Sequence, residues 1–99
     1  MTAYRTPGSS LRPFRPNTMR VLSIIASVAT RHGLTITELR GKSRKRHIAH
    51  PRQEAYTILA DGLGMSRPAI GRVFFRDQST ITHGINAHRA RVAKQEQEQ

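Results

Sequence analysis

The chain has 99 residues and a formal net charge of +11, from 17 Lys and Arg against 6 Asp and Glu. This length supports one small domain with a modest core, and so large a cationic excess indicates a polyanionic partner, with nucleic acid first and an anionic membrane surface second. The absence of cysteine excludes disulfides, thiol catalysis and cysteine-based zinc sites.

At the two ends of the chain, apolar residues do not recur at helical spacing. Residues 1–16 contain Pro7, Gly8, Pro13 and Pro16, which break helices, and therefore predict a flexible basic tail. Residues 95–99 are polar and predict a frayed end. We therefore expect one domain over residues 17–94.

Two helices are predicted at the start of this domain. Asn17 or Thr18 caps the first, and Gly33 ends it. Its apolar residues recur at helical spacing: Met19, Leu22, Ile25, Ala26 and Ala29. Its apolar run, residues 21–29, is too short to span a bilayer and has no signal-peptide cleavage site. Thr35 and Glu38 have capping-box spacing and predict a short second helix.

Three further helices follow, which makes the predicted fold an all-α, compact bundle of about five helices. Pro51 is predicted to open the third helix, because proline suits the first turn of a helix, and the pair Gly62 and Gly64 ends it. Ser66 caps the fourth helix. The fifth is predicted from about Gln78 to Lys94. The residues expected to face inward are Ile36, Leu39, Ala55, Ile58, Leu59, Ile70, Val73, Phe74, Ile81, Ile85, His88 and Val92.

A basic stretch, residues 41–53, joins the second helix to the third. Cations crowd it and its flank with no acid among them: Arg40, Lys42, Arg44, Lys45, Arg46 and Arg52. A cationic loop that leads into a rigid helix can grip a polyanion and orient it. The alternative is a solvated charge run.

A very short connection joins the fourth and fifth helices, which is the geometry of a helix-turn-helix. In that motif the start of the second helix faces base edges in the major groove. The candidate residues there are Arg76, Asp77, Gln78, Ser79, Thr80 and His83. Gln can bond adenine, a Thr methyl can contact thymine and Asp can accept from cytosine. The alternative is a polar first turn with Asp77 as its N-cap.

Two segments, RKRHIAHPRQ at residues 44–53 and IGRVFFRDQSTITHG at residues 70–84, together resemble the carboxy-terminal DNA-binding domain (domain IV) of the bacterial replication initiator DnaA. The resemblance covers residues 21–92 and implies a helix-turn-helix fold of the Trp-repressor-like type. It also implies recognition of a short duplex element, the DnaA box, by monomeric domains that bend the DNA slightly.

The resemblance implies a role for individual residues of both segments. Arg44 would enter the minor groove, with Lys42 and Arg46 on flanking phosphates. Arg52 and Gln53 would contact the backbone and nearby base edges, and Pro51 directly before them is counted among the DNA-binding residues. The residues matching the major-groove contacts are Asp77, Ser79 and Thr80.

Three positions depart from the family pattern. Gln78 replaces a histidine, which changes how far the side chain reaches towards one base step of the DNA. Phe75 replaces a small or polar residue in a turn that is shorter than in some members. Gly84 replaces Ala or Ser and is expected to loosen the fifth helix by up to about 1 kcal/mol. No G-x-x-x-x-G-K-[ST] motif occurs, so we expect no ATP-driven origin melting.

Metal binding and catalysis are not expected. His47 and His50 lie among cations, and His83 and His88 diverge on a helix. The carboxylates fall in four separate segments: Glu38, Glu54, Asp61 and Asp77. We therefore predict no metal, no cofactor and no enzyme activity.

The sequence predicts a standalone, cytoplasmic and nucleoid-associated protein that binds double-stranded DNA at a DnaA-box-like site as a monomer, without contact to a membrane. Regulation of transcription or replication initiation is the expected role, with the initiator or transcription machinery as possible partners. Two alternatives stay open. One is a protein-interaction module that binds the initiator or another replication factor through the third and fifth helices, and the other is a protein that binds nucleic acid by charge alone.

Overall fold

The computed structural model describes residues 16–97, with side chains from residue 18 onward, and within this range it consists of helices and short connections without a strand. The five helices are α1 (Pro16–Arg31), α2 (Ile36–Arg40), α3 (Arg46–Leu63), α4 (Arg67–Phe74) and α5 (Gln78–Gln97). The predicted all-α fold of five helices is confirmed. The predicted tail lies outside the described residues except for Pro16, which is the first residue of α1.

Local capping signals place the ends of α2, α3 and α4. The Thr35 hydroxyl accepts from the Glu38 N–H at 3.0 Å, and the Glu38 carboxylate accepts from the Thr35 N–H at 2.9 Å, so the predicted capping box is present. Ser66 caps α4 by accepting from the Ala69 N–H at 3.3 Å. Gly64 ends α3 in the left-handed conformation, with φ 65°.

The prediction that Pro51 opens α3 is wrong, because the helix begins at Arg46 and Pro51 lies inside it. Ile48, one turn before Pro51, is buried on the same side of α3 as Ala55. Burial of this apolar residue favours the helical first turn. It opposes the cost of a proline in the second turn, which lacks one backbone donor and crowds the carbonyl four residues before it. The non-helical part of the basic stretch is thus limited to residues 41–45.

Helix α3 is the centre of the core and contacts all four other helices. Its Tyr56 packs edge-to-face on Phe74 of α4, with ring centroids 4.8 Å apart. The fully buried residues come from every helix: Ile25, Val28, Leu39, Ala55, Leu59, Ile70, Phe74, Ile81 and Ile85. One core therefore supports both the basic loop and the helix-turn-helix.

Helix α1 buries only part of the face that was expected, since Ile25 and Ala29 are buried as predicted. Met19 and Leu22 were predicted to face inward, yet they are 60% and 41% exposed. Val21 and Val28 are buried instead, next to Ile25. Nearly every side of this helix carries an apolar residue, so its packing against α3, rather than its period, decides which stripe is covered.

Helix α5 continues to Gln97, beyond the predicted end at Lys94. Its last turns consist of Lys, Gln, Glu and Ala, which are good helix formers. His88 and Val92, predicted to face inward, are half-buried. Among the described helices, none is both long and apolar enough to cross a membrane.

Candidate nucleic-acid interface

The basic loop, residues 41–45, presents its cations to solvent. Lys42 and Arg44 are exposed, as is Arg46 in the first turn of α3. The Ser43 hydroxyl accepts from the Lys45 N–H at 3.2 Å and shapes the loop locally. Within residues 16–97 the ion pairs are Arg31 and His32 with Glu54, and Arg89 with Asp61, so no acid neutralises the loop.

Arg52 of α3 is buried beneath this loop, with only 6% of its surface exposed. Its Nε donates to the Leu39 carbonyl at 2.7 Å, and one terminal nitrogen donates to the Ser43 carbonyl at 2.9 Å. Burial lowers the pKa of Arg52, and the nearby Arg76 charge lowers it further. The side chain therefore holds the loop on α3, and its predicted contact with DNA stays a prediction.

Arg76, in the connection between α4 and α5, holds the same segment from the other side. Its guanidinium donates to the Phe74 carbonyl at 2.7 Å and to the Gly41 carbonyl at the start of the loop. Arg52 and Arg76 together form what we call the arginine clamp. Carbonyls at the end of a helix lack partners within that helix, so those at the end of α2 are free to accept from these arginines. The clamp thereby ties the basic loop to α3 and to the helix-turn-helix.

The helix-turn-helix connection consists of residues 75–77 and depends on a close backbone approach. The Gly71 carbonyl accepts from the Arg76 N–H at 2.9 Å. A Cβ atom at Gly71 would overlap the Arg76 carbonyl oxygen. Phe75 adopts a left-handed conformation with φ 59° and reverses the chain into α5. Gly71 is thus required for the tight turn.

Gly84 sets how closely α5 packs on α3. A Cβ atom at this position would lie 2.9 Å from two ring carbons of Tyr56 and 3.2 Å from Cγ of Gln53. Gly84 thus has a packing role that the sequence did not reveal, and the expected loosening of α5 stays a prediction. Its missing side chain lets α5 lie against the Tyr56 ring, and burial raises the pKa of the Tyr56 hydroxyl.

The basic loop and the start of α5 open onto one concave surface, which we call the shared cleft. The residues that line it include Lys42 and Arg44 from the loop, Arg52 and Gln53 from α3, and Arg76, Thr80 and His83 from the helix-turn-helix. Seven residues predicted from the sequence are thus brought together. Thr80 and His83 are exposed, and the side-chain oxygen of Gln53 is buried without a partner.

A second, more open concavity, which we call the recognition face, adjoins the shared cleft. It is lined by Asp77, Gln78 and Ser79, all of them exposed, together with Arg76 and Thr80. Four residues that the sequence analysis did not assign also line it: Pro68, Gly71, Arg72 and Phe75. The predicted Arg46 and Pro51 line neither concavity, and Pro51 is buried.

A cationic surface continues from the loop along α3 and α5. Burial lowers the pKa of His50, and the charges of Arg91, Arg46 and His88 lower it further. Burial also lowers the pKa of His88, against an opposing effect of the Glu54 charge, and Arg91 lowers it further. In both histidines burial is the largest cause of the lowered pKa. In the part of the chain described, no three potential metal ligands cluster.

The fold and this site define a class. A short turn, an exposed polar start of the second helix and a cationic loop beside it are the features of a helix-turn-helix DNA-binding domain. Residues 21–87 match the family described as the bacterial DnaA protein helix-turn-helix, which is more than half of the chain. The chain belongs to this family, and the predicted resemblance is confirmed.

Three relatives of this chain support the assignment. Over 65 residues, 65% of this chain and 12% of the relative, it is 42% identical to the chromosomal replication initiator protein DnaA of Neisseria meningitidis serogroup C. The DnaA protein of Deinococcus deserti is 33% identical over 75 residues, which cover 74% of this chain and 16% of the relative. That of Leptospira biflexa is 34% identical over 74 residues, 75% of this chain and 17% of the relative. The chain thus spans less than a fifth of these relatives, and no solved structure matches it significantly.

Proposed function

We propose that this chain binds double-stranded DNA sequence-specifically at a DnaA-box-like site. The observation that carries the proposal is the shared cleft, where Arg44 of the loop and Thr80 of α5 face one concavity. The arginine clamp links the two elements, so a duplex can meet both at a set spacing. The biological role that we propose is regulation of replication initiation or transcription, since the relatives are chromosomal replication initiators.

The basic loop and the start of α5 have different roles in the proposed binding. The unpaired loop cations neutralise phosphates and supply most of the affinity, which makes binding sensitive to salt. The start of α5 supplies discrimination through base edges in the major groove. Gln78 lines the recognition face, and its carboxamide differs in reach from the histidine of the family pattern, so the base preferred at this step is the part of the site that the proposal leaves open. The proposed binding requires no ATP hydrolysis.

A titration with two duplexes tests the proposal. A labelled duplex carrying a DnaA box and a scrambled duplex of the same composition are each titrated with the chain at about 150 mM salt, where non-specific binding is typically only ~10⁻⁴–10⁻⁶ M. We expect clearly tighter binding to the box. Equal affinities would reject sequence-specific binding and leave binding by charge alone.

Arg44→Ala is expected to weaken binding to both duplexes by roughly tenfold, because one exposed, unpaired cation is removed from the loop. The slope of log affinity against log salt should fall by about 1. The measurement is fluorescence anisotropy at several salt concentrations. Arg20→Ala is the matched control, since Arg20 is an exposed arginine of α1 that lines neither concavity. An equal loss in both variants would mean that only net charge matters.

Thr80→Ala is expected to cost about 1–3 kcal/mol on the box and little on the scrambled duplex, because the lost methyl and hydroxyl groups face base edges rather than phosphates. Thr82→Ala is the matched control, since Thr82 is exposed on the same helix but lines neither concavity. The quantity compared is the ratio of the two affinities. A uniform loss on both duplexes would show that α5 does not carry the discrimination.

A second candidate function is a protein-interaction module for the initiator or another replication factor. Besides the third and fifth helices expected from the sequence, an apolar groove between α1 and α4 offers it a surface. Leu22 is 41% exposed there, beside half-buried Met65 and Val73. Leu22→Glu should abolish binding to a DnaA initiator measured without DNA if this surface is the contact. Unchanged DNA binding in that variant would show that the two surfaces act independently.

A further inference from the structure

Phe75 is an aromatic residue whose side chain is exposed to solvent in the folded chain. It is 76% exposed, although Phe74 beside it is fully buried in the core. Phe75 lies in the turn between α4 and α5 and borders both the shared cleft and the recognition face. Exposure of this ring to water is unfavourable, and core packing does not account for its position.

The backbone at Phe75 is unfavourable for any residue with a side chain. Its φ of 59° and ψ of 47° lie in the left-handed region, and within residues 16–97 it is the one residue other than glycine with positive φ. Glycine adopts this conformation without strain, whereas Cβ crowds the backbone in all other residues. A glycine would therefore serve the turn better than phenylalanine does.

The ring is nevertheless held in place. The guanidinium carbon of Arg40 lies 5.0 Å from the ring centroid, within the range of a cation–π contact. Arg40 is itself anchored, because its Nε donates to the Val73 carbonyl at 3.1 Å. One face of the ring rests on a fixed cation, while most of its remaining surface is open to a partner.

The position of the ring between the two elements indicates the chemistry of that partner. In a duplex, one sugar–phosphate strand separates each minor groove from the adjacent major groove. A protein that places a loop in one groove and a helix in the next must cross that strand between them. Phe75 borders the shared cleft together with the basic loop and the start of α5, so a strand that passes from the loop to the helix would meet its open ring.

We infer that Phe75 packs on a deoxyribose of the strand that separates the two grooves, as an apolar DNA contact between the basic loop and α5. This inference rests on the proposed function. The contact covers exposed ring surface and neutralises no phosphate. It strengthens binding and sets the register of the domain on the duplex, while its contribution does not depend on salt.

Phe75→Gly tests the inference without endangering the fold, since glycine relieves the left-handed strain. We expect the free energy of unfolding to stay equal or rise, while affinity for the box falls about tenfold and the salt slope is unchanged. Met19→Ala is the control for loss of an exposed apolar side chain, because Met19 is 60% exposed on α1 and lines neither concavity. It should leave affinity unchanged.

Tryptophan fluorescence gives a direct readout, because the chain contains no tryptophan. In Phe75→Trp, the emission should shift to the blue and change intensity when the box duplex is added, whereas in Met19→Trp it should not. If the unmodified chain prefers the box but Phe75→Gly binds it equally well, or Phe75→Trp emission is unaffected, the inference is overturned and the proposed function stands. Equal affinity of the unmodified chain for both duplexes would overturn both.

Discussion

Gly71→Ala is expected to lower the free energy of unfolding by about 2–3 kcal/mol, although alanine is otherwise the better helix former. The added Cβ would overlap the carbonyl oxygen of Arg76, and a backbone atom cannot turn aside as a side chain does. Relief of the overlap requires the connection to move away from α4. The start of α5 moves with it, so discrimination between the box and a scrambled duplex should also fall.

Urea unfolding followed by far-ultraviolet circular dichroism measures this loss. Gly62→Ala is the matched control, because a Cβ there would meet only Cγ2 of Ile58, at an ordinary 3.9 Å, inside α3. That variant should gain roughly 0.5–1 kcal/mol. If both variants shifted the unfolding midpoint in the same direction, the close approach in the turn would not be the reason for glycine at position 71.

Arg52→Met is expected to lower the free energy of unfolding by about 2–4 kcal/mol, because the carbonyls of Leu39 and Ser43 lose a charged donor in a buried place. Methionine fills similar space but donates no hydrogen bond. The basic loop should become mobile, and affinity for the box should fall with it. Unfolding by urea and anisotropy with the box duplex are measured on the same preparation.

Arg20→Met removes the same charge from an exposed position and should change stability by less than about 0.5 kcal/mol. The resemblance to DnaA implied that Arg52 contacts the DNA backbone, and this experiment separates that role from support of the loop. A pure phosphate contact would lower affinity and salt slope while leaving the unfolding midpoint of Arg52→Met equal to that of Arg20→Met.

The arginine clamp has a consequence for how this domain would recognise DNA. Arg52 and Arg76 both donate to backbone carbonyls of the segment from Leu39 to Ser43, so the loop is connected to α3 and to the helix-turn-helix at once. Groups that are held in place before binding lose less conformational entropy when they bind. The clamp therefore favours sites in which both grooves present their features at one spacing.

Several features of the fold could be predicted from the sequence because they depend on residues within one helical turn of each other. The capping box of Thr35 and Glu38 joins residues three apart, and so does the cap of Ser66 on Ala69. The short helix-turn-helix connection was predictable for the same reason. The exposed candidates, Arg44 in the loop and Thr80 in α5, followed from charge, residue type and the family pattern.

Other features were not predictable because they depend on contacts between distant segments. Pro51 looks like a helix start in the sequence, but burial of Ile48 extends α3 before it. Met19 and Val28 are both apolar residues of α1, but Val28 lies on the side of the helix that is buried and Met19 does not. A local period cannot distinguish these cases, since several faces of α1 are apolar.

The amino-acid sequence alone is sufficient to predict the class of fold, the presence of a cationic surface for a polyanionic partner, and the family. These three features depend on composition and on short-range motifs. The role of individual arginines and glycines is a matter of three-dimensional packing. Arg52 reaches Leu39 across 13 positions and Arg76 reaches Gly41 across 35, so their hydrogen bonds depend on the assembled core. Gly84 is likewise required by Tyr56, which only the packing of α3 on α5 brings within contact distance, whereas Gly71 is required by the backbone of Arg76 in the adjoining turn.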